Sequence, residues 1–251
     1  MTSNQVDMKF SDLNAVILAG GLGTRLNSIV HDRSKVMAEI SGRPFLTYLL
    51  EQLEALGVRK AVICTGHKAE KLEHELGEEF GKIKLTYSRE TTPLGTAGAL
   101  SLSNSKIDSE WALVLNGDSY FTGDWTEVFK LLNQSNAVGA LALAELENCA
   151  DYGLVKTDSS NRISEFIEKS EVADSGWINA GVYVLKTSIL NSIPNDRFVS
   201  LENEMFPLWI NSGLLGCRIK GELLDIGTPE RLASAETFLS TYVARAQGAI
   251  S

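Results

Sequence analysis

The sequence predicts an α/β fold, one domain built on a mostly parallel, mixed β-sheet flanked by helices. Three observations carry that reading. From Ala15 onward, short apolar runs alternate with amphipathic stretches, as strands alternate with helices in a parallel sheet. The first run, residues 15–19, passes directly into Gly20, Gly21 and Gly23, a strand-to-helix turn. In the second half the runs 137–146, 153–157, 162–168 and 177–185 crowd together with turn residues between them, which adds antiparallel strands to the sheet.

The elements follow in order. After the first strand, Phe45, Leu46, Leu49, Leu50, Leu53 and Leu56 recur at helical spacing behind Pro44 and stop at Gly57, the start and end signals of an amphipathic helix. Residues 61–65 read as the second strand, 68–80 as a solvated helix, 83–88 as the third strand and 96–103 as a short helix. The run "WALVLNGD" is a fourth strand that ends in the carboxylate of Asp118, and a helix spans 125–134. The last helix starts near Pro229 and reaches about residue 246. No linker or repeat period divides the chain, so the expected organisation is an N-terminal extension (1–13), one domain (14–246) and a tail (247–251).

Composition narrows the function. The 251 residues are 44% hydrophobic and 22% charged, an ordinary globular balance, and the formal net charge is -9. A nucleic-acid-binding protein with a broadly basic face is excluded by that charge, although a locally basic pocket is not. Cys64, Cys149 and Cys217 are scattered and form no CxxC pair, which argues against a disulfide framework or a zinc knuckle and for a reducing compartment. The first residues lack the apolar core of a signal peptide, and no run approaches the ~18 apolar residues of a membrane span. A cytoplasmic protein that binds no membrane is expected.

The stretch "NAVILAGGLGTRL" asks for an anionic ligand. Glycines let backbone N–H groups wrap a phosphate, and Arg25 adds a planar, permanently charged fork. A Walker A loop is excluded because no Gly-Lys-Ser/Thr ending follows, and a dinucleotide fingerprint because Leu26 stands where it needs glycine. A tight turn with no ligand would use the same glycines, and only the arginine separates the readings. Histidines point nowhere: His31, His67 and His74 have no ligand spacing.

At "LAGGLGTRL" the chain resembles the sugar-1-phosphate nucleotidyltransferases. The resemblance continues in the family's order through "DRSKVMAEISGRPFL", "ETTPLGTAGAL", "LVLNGD", "EFIEKS", "INAGVYVL" and "LLDIGTPE", from residue 14 to about 232. It implies the Rossmann-like nucleotide-diphosphate-sugar transferase fold. The implied reaction is attack of a sugar-1-phosphate oxygen on the α-phosphorus of a nucleoside triphosphate, which releases pyrophosphate. It also implies a site. Asp118 and Asp225 would hold magnesium, the Mg2+ cofactor of the family, and Arg25 and Lys35 would meet the phosphates. Leu18, Ala19, Gly20, Gly21, Gly23, Thr24, Glu90, Gly95 and Thr96 would line the nucleotide. Gly153, Glu168, Lys169, Asn179 and Gly181 would take the sugar phosphate, with Lys169 on the phosphate itself. Two departures concern loop rigidity: Ser34 and Ser170 stand where the family usually has proline.

Residues 90–96 resemble the guanylyltransferase version of their motif, and a carboxylate or a backbone carbonyl there can accept from the two adjacent donors on the guanine edge. Order and brevity resemble most the branch that makes GDP-heptose, implying GTP and D-glycero-α-D-manno-heptose 1-phosphate as substrates. Mannose 1-phosphate with GTP, or UTP or dTTP with another sugar, stay open. A non-catalytic nucleotide-sugar-binding subunit would be expected to lack part of the charge set, yet Arg25, Lys35, Asp118, Lys169 and Asp225 are all present. Family members are often homo-oligomers, but no apolar stripe names an interface.

Overall fold

The computed structural model describes residues 8–21, 34–66, 68–149, 151–167, 175–195 and 197–248. A 3-10 turn (Phe10–Asp12) leads into β1 (Asn14–Leu18). There follow β2 (Glu39–Ile40), β3 (Arg43–Pro44), α1 (Phe45–Ala55), β4 (Lys60–Thr65), α2 (Ala69–Leu76), β5 (Glu79–Phe80), β6 (Ile83–Arg89), α3 (Gly95–Ser103), β7 (Trp111–Asn116), β8 (Ser119–Phe121) and α4 (Thr126–Asn133). The second half holds β9 (Gly139–Leu146), β10 (Leu154–Thr157), β11 (Ile163–Ile167), β12 (Gly176–Lys186), α5 (Thr187–Leu190), a π-helical turn (Leu201–Met205), α6 (Phe206–Trp209), β13 (Leu214–Arg218), β14 (Leu223–Asp225) and α7 (Pro229–Gly248).

Strand β1 lies at the centre of a ten-stranded mixed sheet, parallel to β4 on one side and β7 on the other. Beyond β4 comes β6, also parallel, with β5 closing its edge antiparallel. The antiparallel flank begins at β12, which pairs with β7 and β10 along one edge and with β9 along the other. Strand β11 extends β10, and β13 runs parallel to β9.

Burial explains why β1 reads as an unbroken apolar run. Ala15 and Ile17 enter one core with Leu46, Leu49, Leu50 and Leu53 of α1, while Val16 enters a second core with Ala97 and Leu100 of α3 and with Trp209. A parallel strand covered on both faces has no polar face to display. Helix α1 has no side-chain N-cap, a deficit of about 1 kcal/mol. Its four fully buried leucines contribute ~1.5–3 kcal/mol each and outweigh that deficit. Phe10 and Leu13, from the stretch read as an extension, are buried, with Phe10 4.3 Å from the Phe129 ring centroid.

Three stretches differ from expectation. The helix anticipated over 68–80 ends at Leu76, because Gly77 takes φ 71° and turns the chain, so Glu79 and Phe80 pair with β6 instead. The short helical pieces between 201 and 212 carry no clean 3.6 period, and β13 has a glycine at its centre, which weakens its strand signal. The tiny hairpin of β2 and β3 turns at Ser41 and Gly42.

The carboxyl ends of β1, β4, β6 and β7 open onto one rim, where such sheets bind ligands. Gly117 lets two of those ends close on each other: its amide donates to the Leu18 carbonyl at 3.0 Å, and a Cβ there would stand 2.7 Å from that oxygen. Strand β14 then pairs with β8, Asp225 opposite Ser119, so a carboxylate from late in the chain arrives beside Asp118.

Candidate active site

Two cavities of about 520 and 540 Å3 open on that rim and share one wall, formed by Gly21, Lys35, Asn116, Asp118 and Glu202. On the shared wall the Lys35 ammonium lies 2.6 Å from Asp118 Oδ2. The pair is partly covered, with side chains 16% and 39% exposed, so its charges remain available to a ligand. Asp118 Oδ1 accepts from the Ser119 hydroxyl at 3.2 Å.

The first cavity adds Asp151, Tyr152, Gly153, Asn179, Asp225 and Arg231 to an apolar back of Val155, Phe166, Ile178 and Phe206. Asp225 is held from three directions. Its oxygens accept from Arg231 at 2.9 and 3.0 Å, from the Gly227 amide at 2.9 Å and from the Tyr152 hydroxyl. Burial pushes its carboxyl up, but Tyr152, Gly227 and Arg231 together outweigh burial and hold it below the ordinary value. A Cβ built on Gly227 would stand 2.7 Å from Asp225 Oδ1 and 3.7 Å from Lys35 Nζ, so this glycine brings bare backbone close to both the second carboxylate and the ammonium. Asn179 is fixed by donating to the Tyr183 hydroxyl (2.9 Å) and accepting from the Gly181 amide (2.9 Å). Tyr183 in turn donates to Asn116 Oδ1 at 3.2 Å. Burial first, and the Glu202 charge second, push that phenol well above its usual range, which keeps it a neutral donor.

The second cavity is lined by Leu18, Ala19, Gly20, Glu90, Pro93, Gly95, Thr96, Ala99, Phe198 and Ser200. Glu90 sits over bare backbone: a Cβ on Gly20 or Gly66 would come within 2.9 or 2.7 Å of its Oε1. Its Oε2 accepts from the Leu94 amide at 3.1 Å, and burial raises its carboxyl above the ordinary value against that bond.

Of the residues anticipated from sequence, Leu18, Ala19, Gly20, Gly21, Lys35, Glu90, Gly95, Thr96, Asp118, Gly153, Asn179 and Asp225 line these two cavities. Gly181 does not; it lies behind Asn179 at a register shift of β12 and supports that side chain. Gly23, Thr24, Arg25, Glu168 and Lys169 lie outside the described residues. Sequence reasoning passed over Asn116, Tyr152, Tyr183, Glu202 and Arg231. Tyr152, Asn116 and Tyr183 each stand within two residues of a selected position, a signal that the sequence offers. Glu202 and Arg231 stand in helical turns where charge is ordinary, and only the fold shows that they face inward. Cys64 packs in the core, its thiol pushed up to about 12 by burial.

A two-carboxylate wall with a lysine, joining two cavities, suits the joining of two anions. Residues 14–241 match the nucleotidyl transferase family. The chain belongs to that family. It is 35% identical over 218 residues to the D-glycero-α-D-manno-heptose 1-phosphate guanylyltransferase of Campylobacter jejuni, which covers 87% of this chain and 96% of that protein. It is 34% identical over 236 residues to the mannose-1-phosphate guanylyltransferase of Mycobacterium tuberculosis, covering 92% of this chain but 63% of the longer relative. The crystal structure of HddC from Yersinia pseudotuberculosis superposes with a TM-score of 0.80 at 31% identity over 90% of this chain and 99% of that one. HddC has also been crystallised in complex with GMP-PN. This nucleotidyl transferase has the mixed sheet flanked by helices that its sequence predicts. Among the described residues no helix is long and apolar enough to cross a membrane.

Proposed function

We propose that this chain transfers a guanylyl group from GTP to a sugar 1-phosphate, D-glycero-α-D-manno-heptose 1-phosphate by preference, giving GDP-heptose and pyrophosphate. The observation that carries the reading is the shared wall: Lys35 and Asp118 stand where a ligand in one cavity meets a ligand in the other. The catalytic unit is placed within residues 14–246.

In this assignment the nucleotide takes the second cavity and the sugar phosphate the first. An oxygen of the sugar phosphate attacks the α-phosphorus; the new P–O bond forms as the bond to the bridging oxygen breaks, and pyrophosphate leaves with that electron pair. Such a transfer needs positioning and charge neutralisation more than covalent help. Lys35 contributes a cation at the junction. Asn179, oriented by Tyr183 and Gly181, presents hydrogen-bonding groups to sugar hydroxyls, and Gly153 leaves room for the ring. Glu90 accepts from the base edge, and Gly95 and Thr96 border base and ribose. Arg25 and Lys169 are assigned to the triphosphate and the sugar phosphate, and Glu168 to sugar hydroxyls, on motif order alone.

The donor set fits a hard divalent cation: one carboxylate in the turn before β8, one on β14 that pairs with β8, and no soft ligand. Among the described residues no group of three or more His, Cys, Asp or Glu side chains converges, so phosphate and water oxygens would complete the shell. Asp118 and Asp225 would hold the ion, magnesium by preference. When bound, it would supply charge neutralisation at the transferring phosphoryl group.

The test is pyrophosphate release in magnesium, crossing GTP, UTP, dTTP, CTP and ATP with heptose, mannose and glucose 1-phosphates, with the product identified by mass. A maximum at GTP with heptose 1-phosphate is expected. A maximum at GTP with mannose 1-phosphate would favour the second reading, which the Mycobacterium relative supports. No nucleotide sugar from any pair would overturn the reaction.

A further inference from the structure

Among the described residues three large apolar side chains stand out in solvent: Leu102 at 43% exposure and Phe198 and Leu208 at 60% each. Phe198 borders the nucleotide cavity of the proposed function. Its backbone has no freedom to withdraw. The Val199 amide donates to the Leu94 carbonyl at 2.8 Å, and the Val199 carbonyl accepts from Ala97 at 3.0 Å and Gly98 at 3.3 Å. The Leu201 amide donates to Thr96 Oγ1 at 2.8 Å. On the other side Arg197 donates to the Phe198 carbonyl at 2.9 Å and pairs with Glu204 at 2.9 Å.

Gly95 shows how closely this strap lies on the start of α3. With φ at 75°, a Cβ there would stand 2.5 Å from the Val199 carbonyl oxygen and 3.1 Å from Phe198 Cζ. A side chain at 95 would displace the strap, and its absence lets the phenyl ring lie beside the cavity. An anchored backbone thus holds an exposed aromatic ring on a cavity that Pro93 and Glu90 also line.

We infer that Phe198 is a stacking surface for the nucleobase, an affinity element supplied by a residue about a hundred positions away from the base motif. The ligand chemistry that satisfies it is a planar heteroaromatic ring, one face on the phenyl and its polar edge toward Glu90. Every base has a π-face, so the ring supplies affinity while the edge supplies choice. This inference rests on the assignment of the nucleotide to the second cavity.

The experiment measures equilibrium binding of GTP and of inorganic tripolyphosphate to the full chain in magnesium, for the wild type, Phe198→Ala and Phe198→Trp. Because the ring is exposed, all three should melt together. Phe198→Ala should weaken GTP about tenfold and leave tripolyphosphate and the KM for sugar phosphate unchanged, and Phe198→Trp should restore GTP binding. Equal GTP affinity in Phe198→Ala and wild type would overturn the inference while leaving the reaction intact. So would an equal loss for tripolyphosphate, or a change of oligomeric state on sedimentation, which would make the ring an interface. If the wild type prefers another triphosphate, the base assignment fails, and the same comparison with that nucleotide decides for or against the ring. No binding of any triphosphate by the wild type would overturn both.

Discussion

Arg231 holds both carboxylate oxygens of Asp225, at 2.9 and 3.0 Å, and turns its other terminal nitrogen to Asp151 at 2.7 Å. Its guanidinium also lies over the Tyr152 ring, 4.8 Å from the centroid. Removing it leaves a carboxylate of 13% exposure short of its cation. Arg231→Ala should therefore cost about 1–3 kcal/mol, discounted because the arginine itself is partly exposed. Chemical denaturation of Arg231→Ala, Asp225→Asn and the double variant checks it: the double should cost clearly less than the two singles added.

Lys35 and Asp118 make a different kind of pair, since they stand on the wall shared by the two cavities. Lys35→Ala should lower the rate of pyrophosphate release about 10²–10³-fold, the usual effect of deleting one group that meets developing charge. Its melting temperature should move by only a few degrees. Asp118→Asn should abolish turnover at every magnesium concentration. Steady-state kinetics with a magnesium titration separates these outcomes, and near-normal rates in Asp118→Asn would remove the metal assignment.

Glu90 gives a pH signature in stability. Burial raises its carboxyl in the folded state, so the folded protein holds that proton more tightly than the unfolded chain. The associated stability is complete below the unfolded value of about 4.3 and is lost as pH rises through the folded value. Glu90→Gln keeps an acceptor for the Leu94 amide and has no charge to bury. Its melting temperature should match the wild type near pH 4 and exceed it at pH 7, and a constant difference across that range would contradict the account. The same variant should lose preference for GTP over the other triphosphates.

All three cysteines are buried thiols outside any disulfide, and burial pushes the Cys64 and Cys217 thiols up to about 12. Neither presents a thiolate near neutrality, and nucleophilic attack needs one. A colourimetric disulfide reagent at pH 8 should find almost no thiol in the native protein and three per chain in guanidinium. Rapid native labelling together with loss of activity would reverse the packing role given to Cys64.

Much of this architecture was legible in the chain. Strands β1, β4 and β7 are short apolar runs because both their faces are covered, and α1 shows its core stripe in plain spacing. The cavity walls were legible where glycine or aspartate ends a strand, as at Gly20, Gly21 and Asp118. What stayed hidden depends on contacts distant in sequence. Glu202 becomes a wall because Thr96 donates to it at 2.8 Å, across a separation of 106 residues. Tyr183 looks like one more apolar strand position until Asn179 and Asn116 are seen on either side of its hydroxyl. The helix predicted over 68–80 overruns because acidic helix formers continue past Gly77, where the glycine turns the backbone and ends it.

The pairing of β14 with β8 also sets an order of assembly. Asp118 leaves a ribosome well before Asp225 does, and at about 5–20 residues per second the second carboxylate follows only after some seconds. In that interval β1, β4, β6 and β7 are all available to pair, so the central sheet can form around a rim that has one aspartate and no Arg231. A nascent chain arrested before β14 would hold the sheet without Asp225 and Arg231 in the first cavity, and those two side chains would arrive together in a single late step.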